Sequence, residues 1–398
     1  MNDRRLIIFI GVYDTLDIFA YELKREFEHM GYETMLFDSS HPQESLSQLA
    51  IFVQKPVKAA ITFNNLGYNM ELVSGKNIWD ELGIFCINIL MDHPFCYKGA
   101  LDASPTRAAV LCTDRNHMRY VQRFYPAIPV TGYLPHAGIE RENVRKRMQK
   151  RSIDVLYAGG LSRNYIQNVK PDLTVYTQFD AEMIAKEAYD TLVKQPWKTT
   201  EQAIEEVLHL HRISLTEEEL CRVIADLHYV DLMVTSYYRE KVIRTLVESG
   251  IRVHLYGYGW EECSWIHHPN LYYGGRVSAE EIVEKMRDAK IVLSTMTWFK
   301  DGTHDRVFNG MLAGAAVVTD SSIYMKEEFG VSGTKEDVER LFMFELTELE
   351  ELPETVRKLL ADDERLQEMA DCGYQYAREK HTWKNRAQEL EEDLLSEL

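Results

Sequence analysis

Short apolar runs, each followed by a stretch of helical periodicity, recur along the chain in two separate series. This alternation restricts the fold more than any other feature. In the first series RLIIFIGVY reads as a strand ending at Gly11. LDIFAYELKREFEHMGY then sets Ile18, Phe19, Leu23, Phe27 and Met30 at helical spacing, with Gly31 behind them as a C-cap. ETMLFDS, VKAAITFN, IFCINILM and AAVLCTD follow as further strands, with helical or loop stretches between most of them. Strands joined through helices pair in parallel and carry helices on both faces, which predicts an α/β fold with doubly wound sheets. Such sheets bind ligands beyond the carboxyl ends of their strands. The residues to inspect are therefore Gly11-Val12-Tyr13-Asp14, Asn64-Asn65, Asp92-His93-Pro94 and Thr113-Asp114-Arg115.

The loop TGYLPHAG and the basic run RENVRKRMQKR separate the two series and mark a domain boundary. The basic run reads either as a solvated linker helix or as a source of positive potential for an interdomain cleft. Strand and loop resume at DVLYAGGLSRNY. From about residue 166 to 237 the chain is rich in Glu, Leu, Ala and Lys and poor in Gly, a block of several helices in which Thr216 and Glu219 match a capping box. The block reads as a cover for the second sheet, a dimer interface or a grip on a protein acceptor. KVIRTLVESG is a helix ending at Gly250. IRVHLYGYGW, NLYYGGRV, AEEIVEKMRDA and KIVLSTM restore the α/β pattern, and the chain ends in an acidic helix. The expected organisation is a Rossmann-like domain over 1–145, a second over 146–380 carrying the helical insertion, and a C-terminal helix, 381–398, packing back toward the first.

A length of 398 residues suits two cores. A formal charge of -18 opposes binding to nucleic acid or an anionic bilayer over most of the surface. No window approaches the ~18 consecutive apolar residues of a membrane span, and the N-terminal apolar run breaks off too early for a secretory signal. Six cysteines scattered without a CxxC pair point to a reducing, cytoplasmic setting. His267-His268 and His209-x-His211 are the close histidine pairs, and neither has a third ligand at suitable spacing, so no metal is expected.

The stretch WFKDGTHDRVFNGMLAGAAVVTD, Trp298–Asp320, sets polar and charged residues directly before a small-residue helix and an apolar strand. Thr303 suits an N-cap, with His304, Asp305 and Arg306 in the first turn. Val307, Phe308, Met311 and Leu312 can pack on the sheet, while Arg306 and Asn309 share the other side. Free backbone N–H groups, the positive end of the helix dipole and a guanidinium meet there, as a phosphate or diphosphate requires. The competing reading pairs Arg306 with Asp301 or Asp305 on the surface. A second anion-friendly turn follows the strand DVLYA, with Gly159 and Gly160 before Ser162 and Arg163.

Taken in order, DVLYAGG, YYREKVIRTLVESGIRVHLYGYGW, NLYYGGRV, KIVLSTMTWFKDGTHDRVFNGMLAGAAVVTD and KHTW resemble the donor-binding half of GT-B glycosyltransferases. The closer likeness is to the bacterial subgroup related to the spore-maturation protein CgeB, with ILMDHPF and YLPHAG similar to its acceptor-side domain. The resemblance implies two Rossmann-like domains facing a cleft, with a nucleotide-sugar as substrate and no metal cofactor. His304, Asp305, Arg306 and Asn309 would face the donor diphosphate and ribose, Gly275-Arg276-Val277 would hold the base, and Tyr256-Gly257 would line the pocket. Asp301 and Asn309 stand where many retaining relatives carry two acidic residues eight apart. The Asn leaves the stereochemical outcome open.

Departure of a nucleoside diphosphate needs cations and helix N-termini to meet its growing charge. An inverting transfer also needs a base for the acceptor hydroxyl. Asp92, His93 and Asp14 are the candidates, with His93 alternatively contacting the donor sugar. The expected activity is sugar transfer from a UDP-sugar to a protein or glycan acceptor, with a homo-oligomer through the insertion as a further expectation. The alternatives are a non-catalytic GT-B-like partner protein and a sugar-nucleotide epimerase.

Overall fold

The computed structural model describes residues 4–12, 14–141, 145–330 and 339–398. They form two compact units, one of residues 1–139, 278–280 and 379–398, the other of residues 140–277 and 281–378.

The first unit is built on a six-stranded sheet in the order β2-β1-β3-β4-β5-β6. Its strands are β1 (Arg5–Ile10), β2 (Glu33–Asp38), β3 (Ala59–Phe63), β4 (Phe85–Leu90), β5 (Ala108–Cys112) and β6 (Val130–Tyr133). Every pairing is parallel. β1, β3, β4 and β5 are buried along their whole length, which explains their unbroken apolar sequences. The half-buried edge strand β6 takes in residues 131–133, the first three of TGYLPHAG, which had read as loop. A four-residue edge strand with an internal glycine carries little β signal. The helix Asp14–His29 buries Phe19, Leu23 and Phe27. Against it packs the helix Trp383–Asp393, whose Trp383 ring lies 4.7 Å from Phe19 and 5.8 Å from Phe63. A capping box starts that helix, with Thr382 Oγ1 receiving the Asn385 N–H and Asn385 Oδ1 receiving the Thr382 N–H. Thr382→Ala is expected to cost ~1 kcal/mol, read as a small drop in the thermal midpoint. No drop would show that the cap adds nothing to the docked helix.

The second unit holds a parallel six-stranded sheet in the order β12-β11-β10-β7-β8-β9. Its strands are β7 (Ile153–Ala158), β8 (Val253–Tyr256), β9 (Leu271–Tyr273), β10 (Ala289–Ser294), β11 (Ala316–Asp320) and β12 (Phe342–Phe344). Between β7 and β8 run the helices Arg163–Val169, Ala181–Lys194, Thr200–Leu210, Glu217–Asp226 and Tyr229–Glu248. The capping box at Thr216 and Glu219 is formed. The last helix is continuous over twenty residues, where the sequence had suggested a break at Tyr237. It packs on other helices as well as on β8, so a single apolar period is hard to read.

Among its described residues the basic stretch forms no α-helix. Residues 142–144 lie outside the described residues, and only Met148–Lys150 make a 3-10 turn. Arg151 is buried and gives hydrogen bonds to the carbonyls of Ala289 (2.8 Å) and Ala313 (3.1 Å). Burial lowers its pKa to about 10. Among the described residues no helix is long and apolar enough to cross a membrane.

Candidate functional site

At the carboxyl ends of β7, β8, β10 and β11 the second unit brings together residues distant in sequence. β7 runs into Gly159 and Gly160. The Gly159 N–H bonds Tyr256 O (2.9 Å), the Leu161 N–H bonds Tyr258 O (2.8 Å), and the Gly159 carbonyl accepts from Trp260 Nε1 (2.7 Å). Gly257, with φ +139°, closes against this turn. A Cβ there would stand 2.4 Å from Gly159 O, so the position requires glycine. The Gly257 N–H in turn bonds Gly275 O at 2.9 Å, which places the Gly275-Arg276-Val277 segment beside the turn. Tyr256 is buried with Lys285 over its ring, Arg276 is exposed, and Val277 packs partly buried on the adjoining core. Arg163 begins the helix Arg163–Val169, and its side chain lies outside the described residues, as does Tyr13.

The helix after the Trp298–Gly302 loop spans Asp305–Leu312, with His304 at the N-cap. This corrects the expectation that Thr303 caps and His304 lies in the first turn. The fully buried Thr303 hydroxyl turns inward to Met296 Sδ (3.6 Å), so the cap falls one residue later. Gly310 allows the helix to lie on β10 and β11, since an added Cβ would meet Val292 and Val317 at 3.0 Å. Asn309 Nδ2 donates to Asp305 Oδ2 at 2.8 Å, and Asp301 is buried.

Arg306 is not a surface residue paired with Asp301 or Asp305. It is 6% exposed, and its guanidinium donates to Ser294 Oγ (3.3 Å) and Thr295 O (3.4 Å) beneath the Gly159 turn. A second guanidinium reaches the same place. Arg239, buried on the helix Tyr229–Glu248, donates to Gly160 O at 2.5 Å and lies 4.9 Å from the Trp298 ring centroid. Among the described residues no carboxylate lies within ion-pairing distance of either. Burial lowers the pKa of Arg306, and the Arg239 charge adds to that. Sequence reading missed Arg239 because a charged residue within a helix usually faces water. The same helix supplies Thr235, bonded to Thr297 (2.9 Å), and Ser236, whose Oγ takes the Ser162 N–H (3.2 Å). The helical block therefore ends as a wall of this site as well as a cover for the sheet.

His304 stands between the guanidiniums and Asp305. Its Nε2 is 3.4 Å from Arg306 Nη2, while its Nδ1 meets both Asp305 Oδ1 and, at 3.2 Å, the Arg306 N–H. A neutral ring that accepts from Arg306 at Nε2 carries its proton on Nδ1. The Asp305 contact is then the hydrogen bond that Nδ1 donates, and in this tautomer Nδ1 has no lone pair with which to accept the Arg306 N–H. Burial lowers the His304 pKa, and Arg306 lowers it further.

The first unit presents a separate polar network. Asn64 and Asn65 both take left-handed backbone conformations, φ +48° and +64°, directly after β3. The fully buried Asn88 on β4 receives the Asn65 N–H at 3.0 Å and donates to Asn65 Oδ1 at 2.5 Å. Asn64 Oδ1 takes the Met91 N–H (2.8 Å), and its Nδ2 donates to Asp92 Oδ2 (2.9 Å). The Tyr97 hydroxyl donates to the same Asp92 oxygen at 3.0 Å. Asp92 is exposed and held through one oxygen. His93 is buried, its ring stacked on Phe95 at 3.6 Å and 4.3 Å from His117, and it caps the turn Pro94–Tyr97. Asp14 accepts the Ala279 N–H at 2.6 Å, residues 278–280 clustering with this unit.

Residues 239–392 match the glycosyl transferase-like family. No curated protein matches the chain. Among solved structures, an alpha-glucosyltransferase in complex with UDP and a 13-mer DNA containing a HMU base is similar at 11% identity and a TM-score of 0.60, over 98% of this chain and 99% of that one. Sucrose-phosphate synthase from Thermosynechococcus elongatus is similar at 10% identity and 0.52, over 99% and 100%. Anabaena HepE in complex with UDP and glucose is similar at 13% identity and 0.52, over 99% and 100%. The two parallel sheets thus have the GT-B fold, and the match to the glycosyl transferase-like family falls in the C-terminal part of the chain.

Proposed function

We propose that this chain transfers a sugar from a nucleotide-sugar, a UDP-sugar, to a hydroxyl group on a protein or surface glycan. In this reading it is a cytoplasmic enzyme of the CgeB-like subgroup and uses no metal. The observation that carries the reading is the pair of buried guanidiniums, Arg239 and Arg306, that meet carbonyls, hydroxyls and a histidine but, among the described residues, no carboxylate within ion-pairing distance. Burying a cation without a counter-charge costs several kcal/mol. Two at one place are retained where a ligand brings the negative charge. The start of an eight-residue helix and the Gly159-Gly160 turn border them, a setting suited to a diphosphate. UDP is bound by the similar alpha-glucosyltransferase and HepE. As the glycosidic bond breaks, the electron pair stays on the diphosphate oxygen, and these fixed cations lower the energy of that charge.

Asp92 is the residue we assign to accepting the acceptor's proton. Two donors fix one carboxylate oxygen, and the exposed side chain leaves the other toward solvent. Asp92→Asn is expected to lower turnover by roughly 100-fold or more with donor affinity kept, measured as nucleotide release from the donor. Equal turnover would remove Asp92 from the chemistry. The reading as a whole is tested by calorimetric titration with UDP-, GDP- and dTDP-sugars. Binding by at least one is expected, and binding by none would overturn it.

A further inference from the structure

We propose that His304 takes up a proton when a diphosphate enters the site, so that the ligand is held by three cations rather than two. The inference rests on the donor-site reading and deepens it. In the site as it stands, the Nε2 lone pair faces Arg306 Nη2 at 3.4 Å, and Nδ1 is engaged by Asp305 Oδ1. The groups around the ring come from several elements. Arg306 and Asp305 belong to its own helix, Arg239 comes from the helix Tyr229–Glu248, and Trp298 and Phe299 pack beside it at 5.5 and 6.0 Å between centroids. Two buried cations near the ring oppose a third, and burial opposes it too, which keeps the imidazole neutral. Asp305 favours the imidazolium.

A diphosphate esterified at both ends brings two negative charges, enough to offset both guanidiniums. The balance at His304 then reverses. Repulsion from Arg306 and Arg239 is cancelled, phosphate oxygens can accept from a protonated Nε2, and Asp305 stabilises the charge through Nδ1–H, as a carboxylate does for a histidine in a hydrolase triad. Linkage makes the effect reciprocal. If the ligand raises the His304 pKa, protons tighten the ligand, and affinity falls by up to about ten-fold per pH unit through the window between the two pKa values.

The probe is UDP-glucose, whose diphosphate has no proton of its own to exchange near neutrality, with GDP-mannose as the second donor. Calorimetric titration in buffers of different ionisation enthalpy, between pH 6 and 8, gives the number of protons taken up on binding. Uptake approaching one proton is expected in the wild type. It should disappear in His304→Gln, which still binds but more weakly. It should persist in Asp320→Asn, which tests the other titrating group near Arg306. Binding without uptake by the wild type overturns the inference and leaves the donor site standing, as does uptake that survives in His304→Gln. Absence of binding by both donors overturns the donor site itself.

Discussion

Replacing Arg306 by methionine is expected to weaken nucleotide-sugar binding by roughly 10- to 100-fold, and replacing Arg239 in the same way should do likewise. Each loss corresponds to one charge-assisted contact with the diphosphate. The double variant should lose less than the product of the two, because both groups act on one ligand. Stability should move differently. Among the described residues neither buried guanidinium has a carboxylate within ion-pairing distance, and burial together with Arg239 already disfavours the charged form of Arg306. An apolar side chain of similar length removes that cost, so thermal stability should hold or rise. The opposite pattern, a falling melting temperature with unchanged donor affinity, would make the two arginines structural and take away the basis of the assignment. Binding is read by calorimetry and stability by thermal denaturation.

Much of this site follows from local sequence rules, and the part that does not has a physical reason. The stretch before Arg306 carries a polar loop and a small-residue helix start, and the structure places that start beside the Gly159-Gly160 turn. The N-cap lies one residue later than the side-chain preferences suggest. Thr303 is a better capping residue than His304, but its hydroxyl is taken by a buried contact with Met296. Arg239 is a different case. YYREKVIRTL offers a charged residue at a helical position, and only the packing of that helix against the Gly160 carbonyl turns it inward. Nothing local marks such a residue. Asn64-Asn65 lies between these cases. Two asparagines after a strand suggest left-handed turn geometry, whereas the bond from Asn64 to Asp92 depends on the parallel register of β3 with β4.

Asp320→Asn is expected to stabilise the protein at neutral and alkaline pH and to leave it nearly unchanged in acid. Asp320 closes β11, is 2% exposed, and accepts the Met296 N–H at 2.9 Å. That residue begins the loop leading to the Arg306 helix, and the loop is further fixed by Ser322 Oγ to Gly302 O (2.7 Å) and the Ile323 N–H to Lys300 O (2.9 Å). Burial raises the Asp320 pKa from 3.8 to about 7, with the Met296 N–H and the Lys300 charge acting in the other direction. The folded state therefore holds a proton that the unfolded chain gives up near the ordinary carboxylate value. This contribution to stability is fully present below about pH 4 and is lost as pH rises through about 7. A shift of this size corresponds to at most ~4 kcal/mol. Asparagine can accept the same N–H through its carbonyl oxygen and does not ionise, so the variant lacks the decline. Thermal midpoints of both proteins taken across pH 4 to about 9 should diverge with rising pH and run parallel above about 8. Curves parallel throughout would mean that Asp320 ionises in the folded protein as it does in the unfolded one, with Lys300 and the backbone amides outweighing the burial.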